Sequence, residues 1–215
     1  MNKFFVYLFL FSFSSFASAL TLSQQRDVYK QAVDFEGQKK WPEALQKARL
    51  IPAYPLTYLL EYKQLRKHFS RDSLFAVQSF IRDNPKRRVS NDLQRNYLYY
   101  LAKNQYWSEF LSFYPQLPNS PKLKCFYFQA RLANDQADEI WNAVQKTWLT
   151  GYSLPNACNS VLRYYLKSKQ ISQALIWQRF QLTYASNQRA LMSYLITLMD
   201  KPNKVLAKQL YVLHK

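Results

Sequence analysis

Three observations predict an all-α fold, a superhelical α-solenoid of helix hairpins. Glycine is nearly absent, with only Gly37 and Gly151 in 215 residues. β-rich folds and doubly wound sheets lean on glycine at tight turns and phosphate loops, so both are disfavoured. Leu, Ala, Gln, Lys and Arg, which all favour helix, are abundant. Finally, one short pattern recurs at Trp41-Pro42-Glu43-Ala44-Leu45, Trp107-Ser108-Glu109-Phe110-Leu111 and Ile171-Ser172-Gln173-Ala174-Leu175.

In each copy an apolar residue leads, a residue suited to a helix start follows, and Glu or Gln comes third. Pro suits the first helical position and Ser the N-cap. The leading Trp or Ile is placed to pack back on the first turn as a hydrophobic staple. The copies lie 66 and 64 residues apart, about twice a period in the low thirties. Weaker starts fall between them, at Ser73-Leu74-Phe75-Ala76 and Asp138-Glu139-Ile140-Trp141. Helix pairs repeating every 30 to 35 residues are the mark of tetratricopeptide-like arrays.

The first 19 residues read as an export signal. Lys3 supplies the positive n-region, Phe4 to Phe13 is apolar except for Ser12, and Ala17-Ser18-Ala19 suits a signal peptidase. Cleavage between Ala19 and Leu20 is expected, with the mature protein in the periplasm. The run is too short to cross a bilayer core of roughly 30 Å, so no stable membrane anchor is expected. What remains, residues 20–215, reads as one superhelical domain.

Its helices follow in order. Pro55 opens one with Leu56, Leu59, Tyr62, Leu65 and Phe69 on its apolar face. Ser70 caps the next, striped by Leu74, Val77, Phe80 and Ile81 and ended by Asn84-Pro85. Leu93, Tyr97, Tyr100 and Leu101 mark a third. Further helices are predicted over 122–132, 135–147, 155–167, 173–184 and 188–198. The last, from about Pro202, carries Val205, Leu206, Leu210 and Leu213 on what reads as an interaction face. A terminal repeat ordinarily has a polar outer side. Either another chain covers this one, or the domain is incomplete at its C-terminal end and continues into something longer; the second is expected.

The chain carries a formal net charge of +17, which becomes +16 without Lys3. Such a field draws polyanions or acidic surfaces. No nucleic-acid partner is expected, since no recognition motif is present and export removes the opportunity. Phospholipid head groups, lipopolysaccharide and cell-wall carboxylates are the polyanions to hand.

The sequence offers no catalytic, cofactor or metal residues. His68 and His214 are far apart, and no cluster has ligand spacing. Most carboxylates look like helix-start and surface charges; Glu61, among Tyr58, Leu60 and Tyr62, is the one expected to be partly desolvated, as a partner of Arg66. In an oxidising compartment Cys125 and Cys158 read as a disulfide, the alternative being two separate buried thiols. The bridge would close a loop for which chain entropy gives roughly 3 to 4 kcal/mol.

Two stretches resemble a known family. Tyr54-Pro-Leu-Thr-Tyr-Leu-Leu-Glu-Tyr-Lys-Gln-Leu65 is similar to the tyrosine-rich helix near the start of the soluble lytic murein transglycosylases. So is Cys125-Phe-Tyr-Phe-Gln-Ala followed by Trp148-Leu-Thr-Gly-Tyr-Ser-Leu-Pro-Asn-Ala-Cys158, a long and specific block. The resemblance runs from about Ser23 to the end. It implies the amino-terminal, U-shaped superhelical domain of enzymes that cleave the MurNAc–GlcNAc bond with a 1,6-anhydro product. It also implies a disulfide between the two cysteines, and peptidoglycan as the partner. The family's Glu-Ser dipeptide and Gly-Leu-Met-Gln motif, which belong to a lysozyme-like catalytic domain, do not occur in this sequence. The expectation is therefore a non-catalytic scaffold. A free-standing periplasmic repeat adaptor that docks another protein is the alternative.

Overall fold

A computed structural model describes residues 20–213. The export signal up to Ala19, and with it the cleavage site before Leu20, lies outside the described residues, as does His214. Twelve α-helices and no strand are found among the described residues. They are α1 (Leu22–Gly37), α2 (Trp41–Arg49), α3 (Thr57–Lys67), α4 (Leu74–Asp83), α5 (Arg88–Lys103) and α6 (Trp107–Phe113). The remainder are α7 (Pro121–Ala133), α8 (Ala137–Trp148), α9 (Asn159–Lys167), α10 (Gln173–Ala185), α11 (Arg189–Leu198) and α12 (Lys201–Leu213). Contacts divide the chain into two compact units, with the division between Gln64 and Leu65 inside α3.

In the first unit α1 packs along α2. Thr21 caps α1 by accepting from the Gln24 N–H while the Gln24 side chain accepts from the Thr21 N–H, which satisfies two orphan donors. Ala32 and Ala48 are small enough for close approach and form a core with Leu60, flanked by Tyr29 and Val33. Lys63 donates to Glu36 across 2.7 Å. Of the expected apolar face of α3, Leu65 is buried and Phe69 half-buried, whereas Leu56 falls outside the helix. The Thr57 hydroxyl donates to the Tyr54 carbonyl at 2.8 Å, so the turn at Pro55 continues to Leu56 and leaves it exposed. Leu60 is then buried, while Leu59 and Tyr62 stay half-buried.

The second unit is a run of hairpins. From α4 to α8 and from α10 to α12 each helix packs on the next, and helices two apart also touch, as with α4 and α6, α5 and α7, α7 and α9, and α10 and α12. Contact with the next helix but one is what stacked hairpins make, because a single hairpin cannot cover its own apolar stripe. Phe80, Leu93, Leu101, Phe110, Phe128, Val144, Phe180 and Leu195 are among the residues sealed this way.

The turns explain both the repeat and the scarcity of glycine. Lys39, Gln105, Asp135 and Asn187 adopt left-handed φ values of 62°, 57°, 57° and 54°. At each, the N–H of this residue donates three residues back and the next N–H donates five residues back: Lys39 to Glu36 and Lys40 to Phe35, Gln105 to Ala102 and Tyr106 to Leu101, Asp135 to Leu132 and Gln136 to Arg131, Asn187 to Tyr184 and Gln188 to Thr183. This double bond pattern satisfies the last helical carbonyls and reverses the chain. The following helix starts two residues after the left-handed one, at Trp41, Trp107, Ala137 and Arg189. Lys169, at φ 62°, stands two residues before Ile171 and makes a turn one residue longer. The recurring sequence pattern thus marks the helix that follows a left-handed turn. Asp135 ends a turn rather than opening α8, which shifts that helix's start to Ala137. Ser108 lies inside α6, whereas Ser172 does cap α10 by accepting from the Leu175 N–H. Residues 155–167 split into a 3-10 turn, Asn156–Cys158, and α9.

Two buried tyrosines bind one hairpin to the next. The Tyr97 hydroxyl donates to the carbonyls of Ser70 and Arg71, each at 3.2 Å. The Tyr165 hydroxyl donates to the Ala137 carbonyl at 2.6 Å. Both rings are fully buried, and desolvation pushes both phenols up to about 12.

Two outcomes are expected. Gln105→Gly relieves a left-handed side chain and raises stability by about 1 kcal/mol, read as a higher urea midpoint at unchanged slope. The folded state holds the Tyr97 and Tyr165 protons above the pH at which the unfolded chain releases them. Their contribution is therefore constant below about pH 10 and lost as pH rises from about 10 to 12. Denaturation of the Tyr97→Phe/Tyr165→Phe variant should start from lower stability near pH 8 and converge on the parent's curve across that window.

Candidate functional site

The segment after α8 concentrates the unusual features of the second unit. Trp148 is fully buried at the end of α8, and the chain then runs through Leu149–Pro155 before the 3-10 turn leads into α9. Three devices hold this segment. A disulfide joins Cys125 of α7 to Cys158, with Cα atoms 4.8 Å apart. The Gln129 side chain, one turn further along α7, donates to the Ala157 carbonyl at 2.5 Å. Gly151 lies against α10, where a Cβ would sit 2.7 Å from the Leu182 carbonyl oxygen and 2.2 Å from Ser186 Oγ. Only glycine allows that approach.

The fourth contact is a charged one. Arg179 of α10 is 2% exposed. Its guanidinium stacks 4.0 Å from the Trp148 ring centroid, and Nη2 donates to the Tyr152 carbonyl at 3.2 Å. Nε finds no hydrogen-bond partner, and neither does the Trp148 Nε1–H. Burial pushes the guanidinium down to about 10, with Tyr194 acting in the opposite sense, so it stays charged at neutral pH. No ion pair reaches it among the described residues.

Arg179 and Trp148 border a cavity of about 510 Å³. The 3-10 turn and α9 supply Asn156, Asn159 and Arg163 to its lining, and α11 supplies Tyr194. Leu154 also borders a second cavity of about 540 Å³ with Lys124, Glu139 and Lys146, so the segment partitions two clefts.

Several acidic groups elsewhere are engaged with cations. Glu109 pairs with Arg71, Asp92 with Arg95 at 2.6 Å and Arg66 at 3.6 Å, and Glu139 with Arg131 at 3.4 Å. Glu61 is exposed rather than desolvated, and Arg66 lies within ion-pair distance of Asp92. Among the described residues no group of three or more His, Cys, Asp and Glu could hold a metal ion, and no helix is long and apolar enough to cross a membrane. On α12, Val205, Leu206 and Leu213 are exposed, Leu210 is half-buried, and Ala207 is the residue sealed inside.

Arg179 is the residue that sequence reasoning missed. Its signal lay in α10, where Leu175, Ile176, Arg179, Phe180 and Thr183 share one buried face. A cation at a stripe position is not snorkelling to water.

No protein-family model matches the chain. Among curated proteins it is 27% identical over 212 residues to the soluble lytic murein transglycosylase of Escherichia coli K12, covering 92% of this chain and 33% of that protein. The Salmonella typhimurium enzyme of the same name matches with the same identity and coverage. The chain therefore spans about a third of the length of the curated relatives it matches. Among solved structures, the 70 kDa soluble lytic transglycosylase of E. coli superposes with a TM-score of 0.77 at 26% identity, over 90% of this chain and 31% of that one. An inactive mutant of Slt from Pseudomonas aeruginosa shares the fold, with a TM-score of 0.65 at 21% identity over 84% and 30% of the two chains. The resemblance to soluble lytic murein transglycosylases thus holds over nearly the whole sequence, and the helical solenoid is the fold shared with them.

Gly151→Ala is expected to destabilise the protein by roughly 2 kcal/mol through overpacking against α10. Adding Ser186→Gly should recover only part of that loss, because the Leu182 carbonyl remains in the way. A Gly151→Ala variant as stable as the parent in urea titration would contradict the close approach.

Proposed function

We propose that this chain is a non-catalytic, peptidoglycan-associated scaffold of the periplasm, equivalent to the superhelical part of a soluble lytic murein transglycosylase. The observation that carries this reading is the superposition on the 70 kDa E. coli enzyme over nine-tenths of the chain. The murein connection comes from the similar E. coli protein, a soluble lytic murein transglycosylase. The family's Glu-Ser dipeptide and Gly-Leu-Met-Gln motif do not occur in the sequence, which supports a non-catalytic reading. Cleavage of a glycosidic bond needs a proton donor in a shaped sugar cleft, whereas Glu36, Glu109, Asp92 and Glu139 are held in ion pairs with lysine or arginine.

Export through a signal cleaved between Ala19 and Leu20 belongs to the same proposal and accounts for a disulfide in the protein. The excess of cations then faces cell-wall carboxylates rather than nucleic acid. A second reading, a free-standing adaptor that docks another periplasmic protein, is favoured by α12. Val205 and Val212 there are 60% and 77% exposed, beside exposed Leu206 and Leu213, and such a patch marks an interaction site.

Purified protein incubated with murein sacculi should co-sediment with them, less so as salt rises, and release no 1,6-anhydro-muropeptide. Anhydro product that disappears on Glu61→Gln would defeat the scaffold reading. Absence of sedimentation at low salt would remove the murein association and leave the adaptor.

A further inference from the structure

We propose that the cavity over Trp148 and Arg179 is a binding site for the carboxylate end of a short peptide. The floor of the cavity carries a positive charge that the protein itself does not neutralise. Arg179 is almost wholly buried, no carboxylate of the described residues pairs with it, and no acidic residue lines the cavity. A second cation, Arg163, stands exposed in the lining and likewise makes no ion pair among the described residues. A buried charge without a partner is costly, and an anion in the adjacent space is what would relieve it.

The rest of the lining narrows the class of anion. Asn156 and Asn159 each offer an amide donor and an amide acceptor, the two halves of a peptide bond, and neither side chain is engaged with a described residue. Leu162, Leu166 and Leu191 provide an apolar wall for a small alkyl side chain. A cavity of about 510 Å³, lined in equal part by apolar and polar residues, has the dimensions of a small-ligand site. Two cations, two amides and a leucine wall fit a monoanion with an apolar flank better than free phosphate, which carries more charge and no alkyl group. Gly151 and the disulfide serve this site by fixing the segment from which the Tyr152 carbonyl orients the guanidinium.

The inference is separate from murein association, since its probes are free peptides rather than sacculi. The Trp148 indole N–H, buried and unpartnered, is the reporter. In nitrogen-15 spectra, with the signal assigned by Trp148→Phe, the protein is titrated to millimolar concentration with N-acetyl-dialanine, its C-terminal amide, sodium acetate and inorganic phosphate at matched ionic strength. The free acid should shift the Trp148 signal along a saturating curve, with the amide weaker by roughly tenfold or more, as expected for a hydrogen bond to a charged group. Arg163→Gln, exposed and therefore not needed for folding, should weaken the acid roughly two- to fivefold at an unchanged melting temperature. The proposal is overturned if acid and amide bind alike, if acetate or phosphate reproduces the full effect, or if the folded protein shows no shift.

Discussion

A hairpin of two helices about ten residues long cannot bury enough apolar surface to fold alone, so everything else in this protein depends on the seam between one hairpin and its neighbour. The seam is built from side chains that reach a backbone carbonyl or a charge a nearly constant distance along the chain. Lys63 reaches Glu36, Tyr97 reaches Ser70 and Arg179 reaches Tyr152, each across 27 residues, while Tyr165 reaches Ala137 and Gln129 reaches Ala157 across 28. The recurrence of one separation with four different side-chain types shows that the stacking geometry comes first. Whichever residue at that register can donate a hydrogen bond then secures it.

The turns obey the same economy. A chain with two glycines has to place ordinary side chains in the left-handed region, at about 1 to 2 kcal/mol for each. It does so at Lys39, Lys86, Gln105, Asp135, Lys169 and Asn187. Four of these turns gain paired hydrogen bonds to the last helical carbonyls, which offsets part of the strain. Gly151 is not spent on a turn of this kind. It has no positive φ, and its value lies in letting the loop touch α10, so its role is steric.

Much of the architecture was legible beforehand because the repeat has a local cause. Trp41, Trp107 and Ile171 recur since each stands two residues after a left-handed turn, and a leading apolar residue can pack on the first turn of its helix, as Trp107 does on Phe110 at 6.5 Å. Helix ends at Asn84-Pro85 were legible for the same reason. Only the start of the α3 face was misread, because Leu56 shares its periodicity while the turn closed by the Thr57 hydroxyl bond leaves it before the helix. Four of the six left-handed residues carry no sequence mark, since lysine and glutamine do not announce that conformation as glycine, Asn187 or Asp135 can. The cavity was invisible for a different reason. Trp148, Asn159, Arg163 and Arg179 meet at one cavity only after α8, α9 and α10 have been brought together, and single-helix patterns say nothing of where a charge on the buried face points.

That buried charge is the one place where the solenoid departs from its own logic. At every other seam a neutral donor or a solvent-exposed cation makes the contact, and a glutamine at position 179 could still donate to the Tyr152 carbonyl. Burial lowers the guanidinium to about 10, which works against folding at neutral pH in a domain with little stability to spare. Stacking on Trp148 returns part of this, since a desolvated cation–π contact is worth about 2 kcal/mol. The remainder has no structural recipient: the Nε and indole donors stay unpaired, and the segment is already fixed by Gly151, Gln129 and the disulfide. Residues that cost stability without adding rigidity are characteristic of binding surfaces, where a donor held ready and dry acts more strongly on an arriving anion than one already satisfied.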